Sequence, residues 1–208
     1  MFRKVILFFL VLIVSLLNST QLVIAGTCSP PSLVPPNNTC STSENVTITA
    51  TVPDSSATFT GYAAGGSTVT FKDNTVVSGT VVTLPSGTFN KTIVSTPGLH
   101  DFAVYFTDTS GRTTPETFFN GVTLPYHVDT PISNVHLPPT IDLSKTSILN
   151  GESVAVMGQG APGSTIHIFL NGAEIYTAVV GAGSDWQYTV NSGYQIGTNT
   201  FNAYLSRT

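Results

Sequence analysis

The strongest constraint on this chain is an internal repeat. Residues Gly158 to Phe169 read GQGAPGSTIHIF, and most of that pattern occurs 97 residues earlier, from Gly61 to Phe71, as GYAAGGSTVTF. Gly61 corresponds to Gly158, Ala64 to Ala161, Gly66 to Gly163, Ser67 to Ser164, Val69 to Ile166 and Phe71 to Ile168. The register continues through Phe89 and Trp186, and through Ile93 and Val190. After a shift of two residues, Phe102, Val104 and Phe106 fall on Phe201, Ala203 and Leu205. A repeat of this length means two copies of one domain, and the glycine-rich stretch reads as the corner between two strands.

Composition sets the fold class. Charged residues are only 9 % of the 208, with 18 Gly and 13 Pro, and Thr, Ser and Val are abundant. β-Branched residues separated by frequent turn residues favour an all-β chain. Eleven acidic residues oppose seven basic ones, two of which, Arg3 and Lys4, stand in the leader. There is no cluster of Lys and Arg of the kind a phosphate backbone requires, so nucleic acid is not an expected partner.

Residues 1–25 have the pattern of a secretory signal. Arg3 and Lys4 precede an apolar run from Val5 to Leu17, and Val23-Ile24-Ala25 resembles a cleavage site before Gly26. The run falls short of the roughly 20 residues a membrane span needs, so a membrane enters only if the segment stays uncleaved. Cys28 and Cys40 are the only cysteines, and both follow the cleavage site. In an exported protein two cysteines most simply form a disulfide. It would close a Pro- and Asn-rich leader over 26–42, contributing about 3 kcal/mol by restricting the unfolded chain.

The first domain is expected over 43–125. Val46, Ile48, Ala50 and Val52 alternate with threonines, as in a half-buried strand. Further strands are read at Ala57 to Gly61, Thr68 to Lys72, Val81 to Leu84, Thr88 to Val94, His100 to Asp108 and Glu116 to Leu124, with Phe118 and Phe119 both assigned to the core. Residues 126–139, with Pro131, Pro138 and Pro139, read as a semi-rigid linker. The second domain is expected over 140–208. Asn171-Gly172 between two apolar runs predicts a type I′ hairpin turn, and Trp186 stands where Phe89 does, at the core centre. Nothing after Leu205 matches the strand Glu116 to Leu124. The expectation is an incomplete sandwich with an exposed strand edge, or a fragment of a longer chain.

Gly158 to Ile168, Asn171-Gly172, Trp186 and Gly197, matched by Gly61 to Phe71, Phe89 and Gly98, resemble bacterial immunoglobulin-like repeats. The join over 137–166 is similar to joins in secreted, uncharacterised multi-repeat proteins of small uncultured bacteria. Some of those resemble scaffoldin partners that end in a calcium-binding dockerin, but no D-x-D/N-x-D/N-G loop occurs here. The resemblance implies two tandem immunoglobulin-like β-sandwiches, secreted or at the cell surface, acting as spacers or adhesive modules.

No motif in the chain carries a reaction. Gly158-x-Gly160-x-x-Gly163 formally matches the dinucleotide fingerprint, but a strand and not a helix follows it, Pro162 lies inside it, and the repeat has Ala63 at its centre. The glycines are better read as permitting tight turns. His100, His127, His136 and His167 form no HxH or HExxH pair, and no G-x-S-x-G elbow occurs. Carboxylates meeting across a sandwich could make a glycosidase pair, but nothing local nominates one. Asn37, Asn45 and Asn90 stand in N-x-S/T sequons, which matter only in a host that glycosylates.

The sequence therefore leads to a non-catalytic structural or adhesion protein without cofactor, metal or catalytic residues. A cell-surface protein or polysaccharide is its expected partner. The alternatives are a carbohydrate-binding module that uses Tyr62, Tyr105, Tyr176, Tyr194 and Tyr204, or a secreted hydrolase.

Overall fold

Alternation along the first strand sets the architecture. In β1 (Ser55–Tyr62), Ser55, Ala57, Phe59 and Gly61 face inward, while Ser56, Thr58, Thr60 and Tyr62 face outward. The structure is a computed structural model that describes residues 54–149 and 151–207. The signal segment, the leader with Cys28 and Cys40, and the strand read at Val46 to Val52 lie outside the described residues.

The first sandwich is built from β1, β2 (Thr68–Asp73), β3 (Val76–Val82), β4 (Thr88–Ser95), β5 (Gly98–Thr107), β6 (Thr117–Leu124) and β7 (Asp129–His136). One sheet has the order β4-β1-β7 and the other β3-β2-β5-β6. The core lies between them. Ala57, Phe59, Phe89, Ile93 and Val135 come from the first sheet, and Val69, Phe71, Phe102, Val104, Phe106 and Leu124 from the second. Phe59 sits at its centre, with ring centroids 5.2 Å from Phe71, 5.3 Å from Phe102 and 5.8 Å from Phe119. Each ring taken out of water contributes about 2–3 kcal/mol, and tilted and edge-on packing adds to that.

The second sandwich contains β8 (Asp142–Leu143), β9 (Val154–Gln159), β10 (Thr165–Leu170), β11 (Ala173–Val179), β12 (Asp185–Val190) and β13 (Phe201–Ser206). Its sheets are β12-β9-β8 and β11-β10-β13. Val154, Val156, Ile166, Ile168, Leu170, Val180, Trp186 and Val190 form its core. The described residues are all-β, with two immunoglobulin-like sandwiches. The Asn171-Gly172 turn has φ of 52° and 83°, as type I′ requires. The matching turn in the first sandwich is Asn74-Thr75, with φ of 47° and 74°.

Two expectations fail. Residues 126–139 are not simply a linker: β7 occupies 129–136 and pairs in parallel with β1. Val135 and Leu137 are buried, and Ile132 packs against the core. Pro131 suggested a connection, but β7 is an edge strand, where proline is tolerated. Phe118 is not a core residue either. Successive side chains in a strand point to opposite faces, so Phe119 packs inward and Phe118 remains 63 % exposed.

The repeat holds residue for residue in the strand registers. Val69 pairs with Phe106 and Phe71 with Val104, just as Ile166 pairs with Leu205 and Ile168 with Ala203. Gly61 lies opposite Phe89, and Gly158 opposite Trp186. Both glycines are required by crowding. A Cβ on Gly61 would stand 2.1 Å from the Val135 carbonyl oxygen, and one on Gly158 would stand 1.8 Å from that of Thr140. Each also meets its aromatic partner, at 2.8 Å for Phe89 and 2.6 Å for Trp186.

One polar pairing was lost between the copies. Ser67 Oγ donates to the Ala64 carbonyl at 2.6 Å, and its amide donates to Thr83 Oγ1 at 3.0 Å. The counterpart of Thr83 is Val180, and the buried Ser164 Oγ has no hydrogen-bond partner.

Two substitutions test this equivalence, both read through the fluorescence of the single tryptophan, Trp186. Val180→Thr is expected to raise the stability of the second sandwich by about 1 kcal/mol by giving Ser164 a partner. Gly158→Ala is expected to lower it by about 3 kcal/mol through overpacking against Thr140 and Trp186.

Candidate functional site

The two glycine-rich corners come together where the sandwiches meet. Gly65, in the first corner, donates its amide to Ser184 Oγ of the second sandwich at 2.7 Å. Gln159, in the second corner, donates from Nε2 to Thr109 Oγ1 at 2.9 Å and to Asp185 Oδ1 at 2.9 Å. Its Oε1 accepts the Thr109 amide at 3.3 Å. A Cβ on Gly87 would lie 2.6 Å from Pro162 Cδ, so these loops are in close contact.

Asp108 anchors this junction. It closes β5, and its side chain has no accessible surface. Oδ1 accepts the amides of Ser110 and Arg112, both at 2.9 Å. Oδ2 accepts Arg112 Nε at 2.7 Å and the Thr140 hydroxyl at 2.6 Å. Thr140 Oγ1 in turn accepts the Gln159 amide at 2.9 Å, and the Thr140 amide donates to the Gln159 carbonyl at 2.9 Å. Burial alone pushes the Asp108 carboxyl up. The Thr140 hydroxyl and the Arg112 amide and guanidinium more than offset that, and the group ends below the usual carboxylate range.

Arg207 follows β13 and reaches residues of both sandwiches. Its Nη1 donates to the Pro162 carbonyl at 2.8 Å, and its guanidinium lies 3.9 Å from the centroid of the Tyr62 ring. Tyr62 also packs against His136 at 5.4 Å.

The five tyrosines singled out from the sequence are not gathered into one surface. Tyr62 lies at the junction. Tyr105 has Lys72 Nζ 5.5 Å from its ring centroid. Tyr176 stacks on Tyr188 at 4.2 Å, both against the second core. The Tyr194 hydroxyl donates to the Val190 carbonyl at 2.8 Å. Tyr204 stacks on His167 at 4.5 Å and on Phe169 at 5.6 Å. Of the five, only Tyr204 is exposed, at 46 %, and the other four rings are half-buried.

The histidines and carboxylates are similarly dispersed. His100 is buried, with Nδ1 2.8 Å from Asp73 and Nε2 2.9 Å from the Thr96 carbonyl. His127 packs on Tyr126, and His136 on Tyr62. Among the described residues, no three His, Cys, Asp or Glu side chains gather as a metal site would require. Lys72 pairs with Glu116, Arg112 with Asp108, Lys145 with Glu152, and His167 with Glu174.

Sequence reasoning missed the junction, although a signal for it was present. The corners GYAAGGS and GQGAPGS agree at Gly61/Gly158, Ala64/Ala161, Gly66/Gly163 and Ser67/Ser164. They differ at Tyr62/Gln159, Ala63/Gly160 and Gly65/Pro162. Four of those six differing residues, Tyr62, Gln159, Gly65 and Pro162, take part in contacts between the sandwiches: Tyr62 with Arg207, Gln159 with Thr109, Gly65 with Ser184, and Pro162 beside Gly87.

No protein-family model matches the chain, and no curated protein matches it. Among solved structures the chain is similar to the central fibronectin-III array of RIM-binding protein, with 14% sequence identity and a TM-score of 0.29. The match covers 68% of this chain and 51% of that one, so the chain spans about half the length of that array. The assignment of the fold rests on the chain's own strand order and cores.

The pH dependence of stability tests the role of Asp108. A carboxyl held below its ordinary value of 3.8 contributes stability in full above that value, and the contribution is lost as pH falls through the folded pKa. Asp108→Asn is expected to cost about 2 kcal/mol at neutral pH. It should also flatten the acid-side loss of stability, as measured by urea unfolding at neutral pH and at about pH 3.

Proposed function

We propose that this chain is a non-catalytic, exported structural protein. In this reading two immunoglobulin-like modules are held at a fixed angle, and the chain serves as a spacer or adhesive element outside a bacterial cell. The observation that carries it is the junction. Two sandwiches joined only by a flexible connection would tumble separately. Here Asp108, Thr109, Thr140, Gln159 and Ser184 tie them by hydrogen bonds, and Arg207 lies over Tyr62. The signal-like segment over 1–25 and the two cysteines after it support export, and the repeat pattern supports kinship with bacterial immunoglobulin-like repeats.

The hydrolase and carbohydrate readings receive less support. The carboxylates of Asp73, Asp108, Glu116, Glu152 and Glu174 each face a basic side chain and not a second carboxylate. Only Tyr204 of the five tyrosines is exposed, and a single ring gives a polysaccharide little stacking surface.

Rigidity and adhesion are tested separately. With nitroxide labels at Val94→Cys and Val179→Cys, both exposed sites, the parent chain should give one narrow distance distribution. Thr140→Val combined with Gln159→Ala should broaden it, and a broad distribution in the parent would remove the spacer reading. For adhesion, purified residues 26–208 are incubated with intact cells, cell-wall fractions and insoluble polysaccharides. Saturable binding that survives moderate salt is the expected result for an adhesive role, and its absence with folded protein leaves only the spacer.

A further inference from the structure

The chain contains three Asn-Gly pairs, Asn120-Gly121, Asn150-Gly151 and Asn171-Gly172. Glycine has no side chain to obstruct its own amide nitrogen, so that nitrogen can reach the side-chain carbonyl carbon of the asparagine before it. Such a pair can lose its side-chain amide without an enzyme. Asn150 lies outside the described residues. The other two pairs are held in very different ways. Asn171 Nδ2 donates to Asn199 Oδ1 at 2.9 Å, and its Oδ1 accepts the Thr200 amide at 2.9 Å. Its own amide donates to the Thr200 carbonyl at 2.9 Å. The side-chain carbon of Asn171 cannot swing toward Gly172 without giving up two hydrogen bonds.

Asn120 has no such restraint. The ladder between β5 and β6 pairs Phe102 with Phe119 and His100 with Val122, so Asn120 and Gly121 together stand opposite Asp101 as a β-bulge. Asn120 is exposed, and among the described residues its side chain makes no hydrogen bond. Gly121 has φ of 70°, with open space where a Cβ would stand. Its amide donates to Asp101 Oδ1 at 2.7 Å. Asp101 is fixed in turn by Asn74. Its amide donates to Asn74 Oδ1 at 3.0 Å, and its carbonyl accepts the Asn74 amide at 2.9 Å. The nitrogen that would attack Asn120 is thus already bonded to a base.

We propose that Asn120 is a site of self-modification, with Asp101 as the base and water as the only co-reactant. The Gly121 nitrogen forms a bond to Asn120 Cγ as its proton passes to Asp101. The bond from Cγ to Nδ2 breaks, and the departing nitrogen takes up that proton and leaves as ammonia. Water then opens the five-membered imide, at one carbonyl to give aspartate and at the other to give isoaspartate. Either product places a new carboxylate beside Asp101. Isoaspartate also adds a methylene to the main chain of β6, between Phe119 and Val122, which both pack against the first core. The change accumulates over the life of the chain and bears directly on the seating of β6.

The test ages the folded chain in mildly alkaline buffer and follows each pair by peptide mapping. Loss of the amide reads as a gain of about 1 Da, and isoaspartate is counted by enzymatic methyl transfer. Asn120 is expected to convert at least about tenfold faster than Asn171. In urea the two rates should converge, because Phe119-Asn120-Gly121 and Leu170-Asn171-Gly172 are alike once unfolded. Asp101→Asn keeps an acceptor for the Gly121 amide but removes the base, and should slow Asn120 at least about tenfold while leaving Asn171 unchanged. The comparison of the two pairs within the parent chain does not depend on that variant folding. A folded-state rate at Asn171 equal to or above that at Asn120 would overturn the proposal. So would an Asn120 rate that Asp101→Asn leaves unchanged.

Discussion

A carboxylate cut off from water has to find all of its hydrogen bonds within the protein, and Asp108 does so across a domain boundary. Three of its four donors come from the turn that follows β5, and the fourth comes from Thr140, at the entrance to the second sandwich. Removing Thr140 would leave a buried anion short of a partner, and such groups are costly. The relative placement of the sandwiches is therefore coupled to the stability of the first. Gln159 extends the same network to Thr109 and Asp185, so the junction is one connected set of polar contacts.

The glycine-aromatic pairs play a comparable part inside each sandwich. Gly61 and Gly158 let a neighbouring backbone carbonyl come closer than any side chain would permit, and Phe89 and Trp186 cover the gap. This explains why the repeat is visible in the sequence. The positions that match between copies are those where the fold leaves no alternative, such as Gly61, Val69 and Phe89 with Gly158, Ile166 and Trp186. Periodicity of two, the Asn171-Gly172 turn and the spacing of the copies were sufficient to read the sandwiches.

What was not legible follows from the same physics. A linker and an edge strand with a proline share a composition, and only the burial of Ile132, Val135 and Leu137 distinguishes them. Phe118 and Phe119 are equally apolar, and which of them faces inward depends on strand register. The junction contacts are hydrogen bonds between residues far apart in the chain, 32 positions for Thr140 with Asp108, 50 for Gln159 with Thr109 and 119 for Ser184 with Gly65. No local pattern encodes them. They occupy the places where the two copies of the corner diverge, a signal that can be recognised only once the repeat has been aligned.

The parallel pairing of β7 with β1 has a mechanical consequence. The described chain enters the first sandwich at the start of β1 and leaves it at the end of β7, and these strands lie side by side in the same direction. Tension applied through the two ends of this sandwich pulls the neighbours in opposite senses along their common axis. Their ladder is then loaded in shear, with its hydrogen bonds sharing the force together, and does not open one bond at a time like a zipper. A module strung in this way resists extension in proportion to the length of the shared ladder. The eight-residue β7, a stretch that composition alone assigns to a connector, becomes the clamp that carries the load.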